Sequence, residues 1–138
     1  MNPINKPILL IEDDQVDTMV VRRALKELHV ANRLEYVENG EEALAYLRDP
    51  AREWPCLILL DLNMPVMNGI EFLQAVKVDS ELKRIPVVVL TTSDEQKDKV
   101  ESFELGVAGY MRKPVDYQQF VEIIRTIDAY WTISESPA

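Results

Sequence analysis

The chain has 138 residues, which is enough for one domain with a hydrophobic core and too few for two ordinary domains. Its net charge of −9 opposes binding to nucleic acid and to anionic membranes, because both repel an acidic surface. The single cysteine, Cys56, excludes an intrachain disulfide and is typical of a reducing compartment. The N-terminus lacks a signal-peptide pattern and no apolar run reaches membrane-spanning length, so we expect a cytoplasmic protein that binds neither nucleic acid nor membrane.

The first half of the chain predicts two strands and two helices in alternation. The apolar run 8–11 predicts a buried strand, and the roughly alternating stretch 34–38 predicts a half-exposed strand near an edge of the sheet. Asn39, with Glu42 three residues later, predicts a capped helix over 42–48. A helix over about 16–28 lies between the two strands, and its predicted core face consists of Val16, Val20, Ala24 and Leu28, widened by Met19 and Leu25.

The second half predicts three more strand–helix units. The predicted strands are 57–60, 87–90 and 108–111. The helices after them carry polar residues at cap positions, namely Asn68 with Glu71, Ser93 with Gln96, and Asp116 with Gln119. Gly106 is well placed to end the middle helix near Leu105. The last helix is expected to reach about Trp131, before a frayed tail over 132–138.

The order of elements is a strand followed by a helix, five times over, without a linker or a long internal repeat. Parallel strands joined by right-handed helical crossovers form a doubly wound α/β sandwich of three layers. The alternating second strand beside apolar neighbours favours the strand order 2-1-3-4-5. We therefore predict one domain over 1–138, with its core over about 7–131 and the ends of strands one and three side by side.

Polar residues follow four of the predicted strands at their carboxyl ends, where ligand sites of such sheets lie. They are Glu12 and Asp13 after the first strand, Asp61 after the third, Thr91 after the fourth and Lys113 after the fifth. Carboxylates crowded at one rim repel each other unless a cation lies between them. Because all the ligands are oxygens, we expect a hard ion, Mg²⁺ or Mn²⁺, and not zinc.

A metal ion, an aspartate, a lysine and a hydroxyl together favour phosphoryl chemistry. The metal and the Lys113 ammonium would neutralise the phosphoryl oxygens, and the Thr91 hydroxyl would donate a hydrogen bond. An aspartate can act as the nucleophile and carry the phosphoryl group as an acyl phosphate. The pattern therefore predicts a site that brings a dianion to the Asp61 carboxylate.

These residues resemble the receiver domain of two-component response regulators over nearly the whole chain. The resemblance is carried by Glu12-Asp13, by Asp61 within Leu-Asp-Leu-Asn-Met-Pro, by Gly69, by Thr91 and by Lys113-Pro114. It implies a flavodoxin-like fold and a phosphoacceptor signalling protein. Such a protein is not an enzyme and catalyses at most its own phosphorylation and dephosphorylation.

The resemblance also implies a role for each residue of the rim. Asp61 would be the phosphoacceptor, and Mg²⁺ would be bound directly by Asp13, Asp61 and the backbone carbonyl of Asn63, with Glu12 acting through a water. Thr91 and Lys113 would contact the phosphoryl group, Tyr110 would be the switch aromatic, and Asn63 and Ser93 would tune hydrolysis. The Lys113–Pro114 bond is expected to be cis.

The resemblance implies a histidine kinase as partner. The segments Leu82–Leu90 and Asp128–Trp131 are similar to those of single-domain regulators that serve phytochrome-type kinases. A relay intermediate that passes its phosphoryl group to a histidine phosphotransfer protein is an alternative. A metal-dependent aspartyl phosphatase usually has a second acid where this chain has Asn63. A flavodoxin-like FMN protein would have a Ser/Thr/Gly phosphate loop after the first strand, where Glu12-Asp13-Asp14 would repel the FMN phosphate. A pseudo-receiver would lack part of the acid, threonine and lysine set.

The last helix predicts a symmetric homodimer. A core stripe of Phe120, Ile123, Ile124, Ile127 and Trp131 already suffices to dock it on the sheet. Tyr117 and Val121 form a second apolar pair, to which Tyr130 and Ile133 add surface. We expect this cluster to pair two copies through the face of helix four, strand five and helix five, unless the C-terminal tail covers it.

Overall fold

The computed structural model of the chain describes residues 6–92, 95–113, 118–123 and 125. Its strands are β1 (Ile8–Ile11), β2 (Leu34–Val37), β3 (Leu57–Leu60), β4 (Val87–Thr91) and β5 (Gly109–Arg112). Its helices are α1 (Gln15–Glu27), α2 (Gly40–Arg48), α3 (Gly69–Lys77) and α4 (Gln96–Glu104), with a short 3₁₀ helix, Leu82–Arg84, that the sequence did not predict. Residues 118–123 are also helical.

The five strands are parallel and lie in the order β2-β1-β3-β4-β5, which confirms the predicted topology. Alternate residues of each strand face opposite sides of the sheet. Leu9, Ile11, Ile58 and Leu60 pack with residues of α2 and α3 on one side. On the other side, Ile8, Leu10, Leu57 and Leu59 pack with residues of α1 and with Phe120. Helices therefore cover both sides of the sheet, as a three-layer sandwich requires.

The predicted core face of α1 was wrong. Val16, Met19 and Val20 are 69%, 63% and 47% exposed, whereas Val21 and Leu25 are buried. Ala24 and Leu28 are partly buried against the core, so the true face is rotated around the helix axis. The sequence pattern missed this rotation because Thr18 lies on the buried face, where its hydroxyl donates to the carbonyl oxygen of Asp14 over 3.0 Å.

Helix caps account for most of the helix boundaries. Asn68 and Glu71 form the predicted capping box of α3, with bonds of 2.9 and 3.1 Å. The Asn39 side chain accepts from the Glu42 amide over 2.9 Å, as predicted. However, α2 begins at Gly40 and not at residue 42, because Asn39 is itself the N-cap. Gly106 has a φ of 88° just beyond α4, which confirms its role as the helix stop.

The beginning of α4 and the C-terminal region differ in part from the predictions, and some of their residues lie outside the described ones. α4 begins at Gln96 with Glu95 as its N-cap, and Ser93 lies outside the described residues. Phe120 is buried and Ile123 packs on the core, as predicted. Val121 is only 8% exposed, so the prediction that it belongs to an exposed pair was wrong. The remaining predicted members of the last helix, and the tail, lie outside the described residues: Asp116, Tyr117, Ile124, Ile127, Tyr130, Trp131 and 132–138.

Within the part of the chain that the structure describes, no helix combines the length and the apolar composition that spanning a bilayer requires.

Candidate functional site

Two buried acids meet where the strand order reverses. Ile11 of β1 lies opposite Leu60 of β3, so Glu12 and Asp61 leave the sheet side by side. The Asp61 amide donates to the Ile11 carbonyl oxygen over 3.0 Å and ties the two strand ends together. Glu12 and Asp61 are only 2% and 4% exposed. The structure therefore brings together the two strand ends that the topology predicted to meet.

Asp13 completes a three-carboxylate cluster at this rim. Glu12, Asp13 and Asp61 each offer an oxygen, and these oxygens all lie within 4.8 Å of one another. Burial is the main cause that raises the pKa of Glu12, to about 7; the hydrogen bond from Lys113 opposes this rise and the charge of Asp61 adds to it. Burial also raises the pKa of Asp61. Glu12 and Asp61 therefore resist ionising together, and the oxygen-only donors and close spacing of the three-acid cluster suit a hard divalent cation.

Lys113 lies beside the acids, with its side chain only 9% exposed. Its Nζ donates to Glu12 Oε1 and, over 2.7 Å, to Asp17 Oδ2, whereas Asp61 Oδ2 is 3.9 Å away. Burial pulls the pKa of Lys113 down, but the hydrogen bonds to Asp17 and Glu12 and the charge of Asp61 outweigh it and raise the pKa. Lys113 is therefore a charged ammonium that three carboxylates surround.

Asp17 is a residue of the site that the sequence pattern did not predict. This residue lies in the first turn of α1, one helical turn after Asp13. Helices that follow parallel strands begin at the carboxyl rim of the sheet, so their first turns point their side chains towards the site. An acid in that turn is the signal in the sequence that could have indicated this residue, because the residues that directly follow the strands are not the only ones at the rim.

Thr91 is fully buried at the end of β4, and Asn63 holds its hydroxyl. The Asn63 side-chain amide lies 3.3 Å from Thr91 Oγ1 and also 3.3 Å from Thr92 Oγ1. The Asn63 backbone amide donates to Asp61 Oδ1 over 3.3 Å. One residue therefore links the Asp61 carboxylate to two hydroxyls, of which the sequence predicted only that of Thr91.

Gly69 fits the predicted motif for a steric reason. A Cβ atom at this position would lie 2.6 Å from the Asp61 carbonyl oxygen and 2.7 Å from the Leu62 Cα. The Gly69 amide donates to the Leu62 carbonyl oxygen over 3.1 Å. The beginning of α3 can therefore lie directly against the backbone that carries Asp61 only because residue 69 has no side chain.

Tyr110 lies on β5 opposite Val89, two residues before Thr91 on the neighbouring strand. Its ring is half buried, with its centroid 6.3 Å from that of Phe103 on α4. Its hydroxyl oxygen is already shielded from solvent. Pro114, and with it the predicted cis bond, lies outside the described residues.

A doubly wound sheet with acids after β1 and β3, a threonine at the end of β4 and a lysine after β5 is the arrangement of a receiver domain. Residues 8–125 match the family model of the response regulator receiver domain. The chain therefore belongs to this family, which confirms the resemblance found in the sequence. Receiver domains are signalling proteins that interact with histidine kinases.

The response regulator Rcp1 of Synechocystis sp. is 38% identical to this chain over 130 residues, which cover 91% of the chain and 88% of Rcp1. The crystal structure of Mn²⁺-bound Rcp1 matches with a TM-score of 0.77, covering 91% of this chain and 94% of that one. The phosphorylated cyanobacterial phytochrome response regulator RcpA is 38% identical, with a TM-score of 0.78 and coverage of 97% and 99%. The bacteriophytochrome response regulator RtBRR is 41% identical, with a TM-score of 0.81 and coverage of 97% and 84%.

Proposed function

We propose that this chain is the receiver domain of a response regulator of the cytoplasm, in which Asp61 accepts a phosphoryl group from a histidine kinase. The observation that carries the proposal is the convergence of the buried Asp61 carboxylate with two further acids and the Lys113 ammonium. A dianionic phosphoryl group can approach a carboxylate only where positive charge compensates both. The rim supplies one positive side chain and a cluster of oxygens that fits a divalent cation.

Each residue of the rim has a distinct task in this proposal. A carboxylate oxygen of Asp61 forms a bond to phosphorus while the bond from phosphorus to the donor nitrogen breaks, and the nitrogen keeps the electron pair. Asp13, Asp61 and the Asn63 carbonyl would hold Mg²⁺ or Mn²⁺, with Glu12 acting through a water. The ion would supply positive charge for the phosphoryl oxygens. Lys113 and Thr91 contact other oxygens of the same group.

Phosphorylation is tested with acetyl phosphate and Mg²⁺, followed by mass spectrometry of the intact protein. The wild type should gain one phosphoryl group, and Asp61→Asn should gain none, because an amide oxygen is a poor nucleophile. Asp49→Asn provides a matched control, since Asp49 is the partly exposed C-cap residue of α2, away from the rim. Undiminished labelling of Asp61→Asn would show that another residue is the acceptor.

The metal assignment is tested separately. Asp13→Asn leaves Asp61 in place but removes an anionic ligand, so the affinity for Mg²⁺ should fall by about tenfold or more. Isothermal titration calorimetry measures this affinity. An unchanged affinity in Asp13→Asn would remove Asp13 from the set of ligands.

We propose a phytochrome-type histidine kinase as the phosphoryl donor. The support is the similarity to RcpA, a phytochrome response regulator, and to RtBRR, a bacteriophytochrome response regulator. Phosphotransfer profiling against all histidine kinases of the source organism tests the pairing, and preferential transfer from a different class of kinase would refute it. A relay role predicts in addition that the phosphoryl group passes on to a histidine phosphotransfer protein.

We also propose that phosphorylation is signalled through Thr91 and Tyr110. Phosphoryl oxygens would attract the Thr91 hydroxyl away from Asn63, and the Tyr110 ring would move further into the space that Thr91 leaves. The group must bind the active state more tightly than the resting state, or the populations do not shift. Structures with and without beryllofluoride test this, and identical rotamers of Thr91 and Tyr110 in both would contradict it.

The homodimer remains a proposal for the face of α4 and β5 and the helix that follows. Its support among the described residues is Val100 and Phe103 on α4, which are 46% and 48% exposed. Because Val121 is buried within the chain, a charge there would damage the fold and would not test the dimer. Phe103→Glu should instead yield monomers that still accept phosphate. Light scattering that shows a monomeric wild type at high micromolar concentration, with and without beryllofluoride, would refute the dimer.

A further inference from the structure

Asp17 holds the lysine of the site from outside the acidic cluster. Its Oδ2 lies 2.7 Å from Lys113 Nζ, whereas the Asp61 oxygen closest to that ammonium is 3.9 Å away. Among the described residues, the three acids that could share a cation are Glu12, Asp13 and Asp61, and Asp17 is not one of them. Of the described acids that lie within 4.0 Å of Lys113 Nζ, Asp17 is therefore the one that does not belong to this cluster.

Because Asp17 lies outside the cluster, it should keep its attraction for Lys113 when a cation binds. A divalent cation in the cluster would draw on the charge of Glu12 and Asp61 and weaken their attraction for the ammonium. The Asp17 carboxylate, which lies outside this cluster, would keep its charge for that ammonium. A phosphoryl group on Asp61 must then compete with Asp17 for the hydrogen bonds of Lys113 Nζ, since an ammonium has three donors in fixed relative directions.

We propose that Asp17 is a positioning residue that holds Lys113 towards α1 and thereby weakens the binding of a phosphoryl group at Asp61. This role rests on the proposed phosphoacceptor function, and it makes Asp17 the residue that determines how readily Lys113 can bind the phosphoryl group. The Asp17 side chain is about one third exposed, at 34%, so solvent screens the ion pair. Removal of the Asp17 charge should therefore raise the affinity for the phosphoryl group by only a small factor.

The test measures the affinity for beryllofluoride, a phosphoryl mimic, at saturating Mg²⁺ by ¹⁹F nuclear magnetic resonance. Asp17→Asn should bind the mimic roughly two- to fivefold more tightly than the wild type, the range expected for a partly exposed ion pair. Asp17→Glu restores the charge and should return the affinity towards the wild-type value. This rescue separates a role of the carboxylate charge from a general change in the structure of α1.

Asp14→Asn is the charge-matched control. Asp14 is exposed at the same helix start, and its side chain accepts from the amides of Val16 and Asp17. Asparagine caps a helix as well as aspartate does, so this variant removes one negative charge from the rim and keeps the helix start. An equal gain in Asp14→Asn and Asp17→Asn would overturn the proposal, because a general reduction in negative charge would then explain both.

An unchanged or weaker affinity in Asp17→Asn would also overturn the proposal. If the wild type binds the mimic and is labelled by acetyl phosphate, that outcome removes the inference about Asp17 alone. If the wild type neither binds the mimic nor accepts the label, the phosphoacceptor function fails first, and the role of Asp17 fails with it.

Discussion

Val66 is strained in the loop that joins β3 to α3. Its φ is 66°, in the left-handed region, where a β-branched side chain is a genuine outlier. The side chain is 75% exposed, so burial does not offset the strain. The same loop carries Asp61 and Asn63, and strain of this kind concentrates near functional sites. We predict that Val66→Asn stabilises the protein.

The magnitude follows from two opposing contributions. The left-handed conformation costs an L-residue about 1–2 kcal/mol, and asparagine tolerates it better than most residues. Full burial of a valine is worth about 1.5 kcal/mol, and only about a quarter of this side chain is buried, so its loss costs about 0.4 kcal/mol. The free energy of unfolding should therefore rise by about 1 kcal/mol, and the Tm by about 3 °C.

Urea denaturation followed by far-ultraviolet circular dichroism measures the change. Val78→Asn is the matched control, because Val78 is 85% exposed but has a φ of −84°. That variant should stay within about 0.5 kcal/mol of the wild type, as surface substitutions usually do. If Val66→Asn is no more stable than the wild type, or if both variants gain equally, the strain argument is refuted.

Three further predictions concern other positions. Gly69→Ala should lose about 2 kcal/mol of stability in urea denaturation, because its Cβ would lie 2.6 Å from the Asp61 carbonyl oxygen; wild-type stability would contradict the close approach. His29 follows the C-cap residue of α1 and has a φ of 58°, so His29→Gly should raise the Tm by about 2–3 °C, and a lower Tm would refute the strain there. Without metal, the free energy of unfolding should fall by at most about 3 kcal/mol as the pH rises from about 4.5 to 7. The reason is that the pKa of Glu12 is raised to about 7 in the folded protein, which keeps a proton that the unfolded chain has already lost. Chemical denaturation in a chelator should show this slope, and its persistence in Glu12→Gln would assign it to another group.

The fold was predictable because the buried strands carry little ambiguity. Runs such as Leu57–Leu60 are apolar on both faces, which only a sheet covered by helices on both sides accommodates. The face of α1 was not predictable from polarity, because Thr18 satisfies its hydroxyl within the helix and can be buried. The burial of Val121 was missed for a related reason, since helical spacing fixes relative positions on a helix but not how wide its buried face is.

The positions of the rim residues were predictable, since strand ends determine where their backbones lie. These residues are Glu12, Asp13, Asp61, Thr91 and Lys113. Their roles remain proposals. The contact between Asp17 and Lys113 was not predictable, because it depends on the direction of a helix's first turn relative to a lysine 96 residues away along the chain. The link from Asn63 to Thr92 likewise depends on how two loops meet.

The central place of β1 in the sheet has a consequence for how the chain folds. β1 pairs with β2 on one side and with β3 on the other, where Ile8 lies opposite Leu57. This second pairing closes a loop of about 50 residues, and loop-closure entropy must be overcome before its contacts give any stability. A nascent chain that ends before Leu57 leaves one edge of β1 with unpaired backbone groups. Productive folding on the ribosome therefore waits for β3 to emerge, and refolding should be limited by this long-range pairing and not by the formation of any helix.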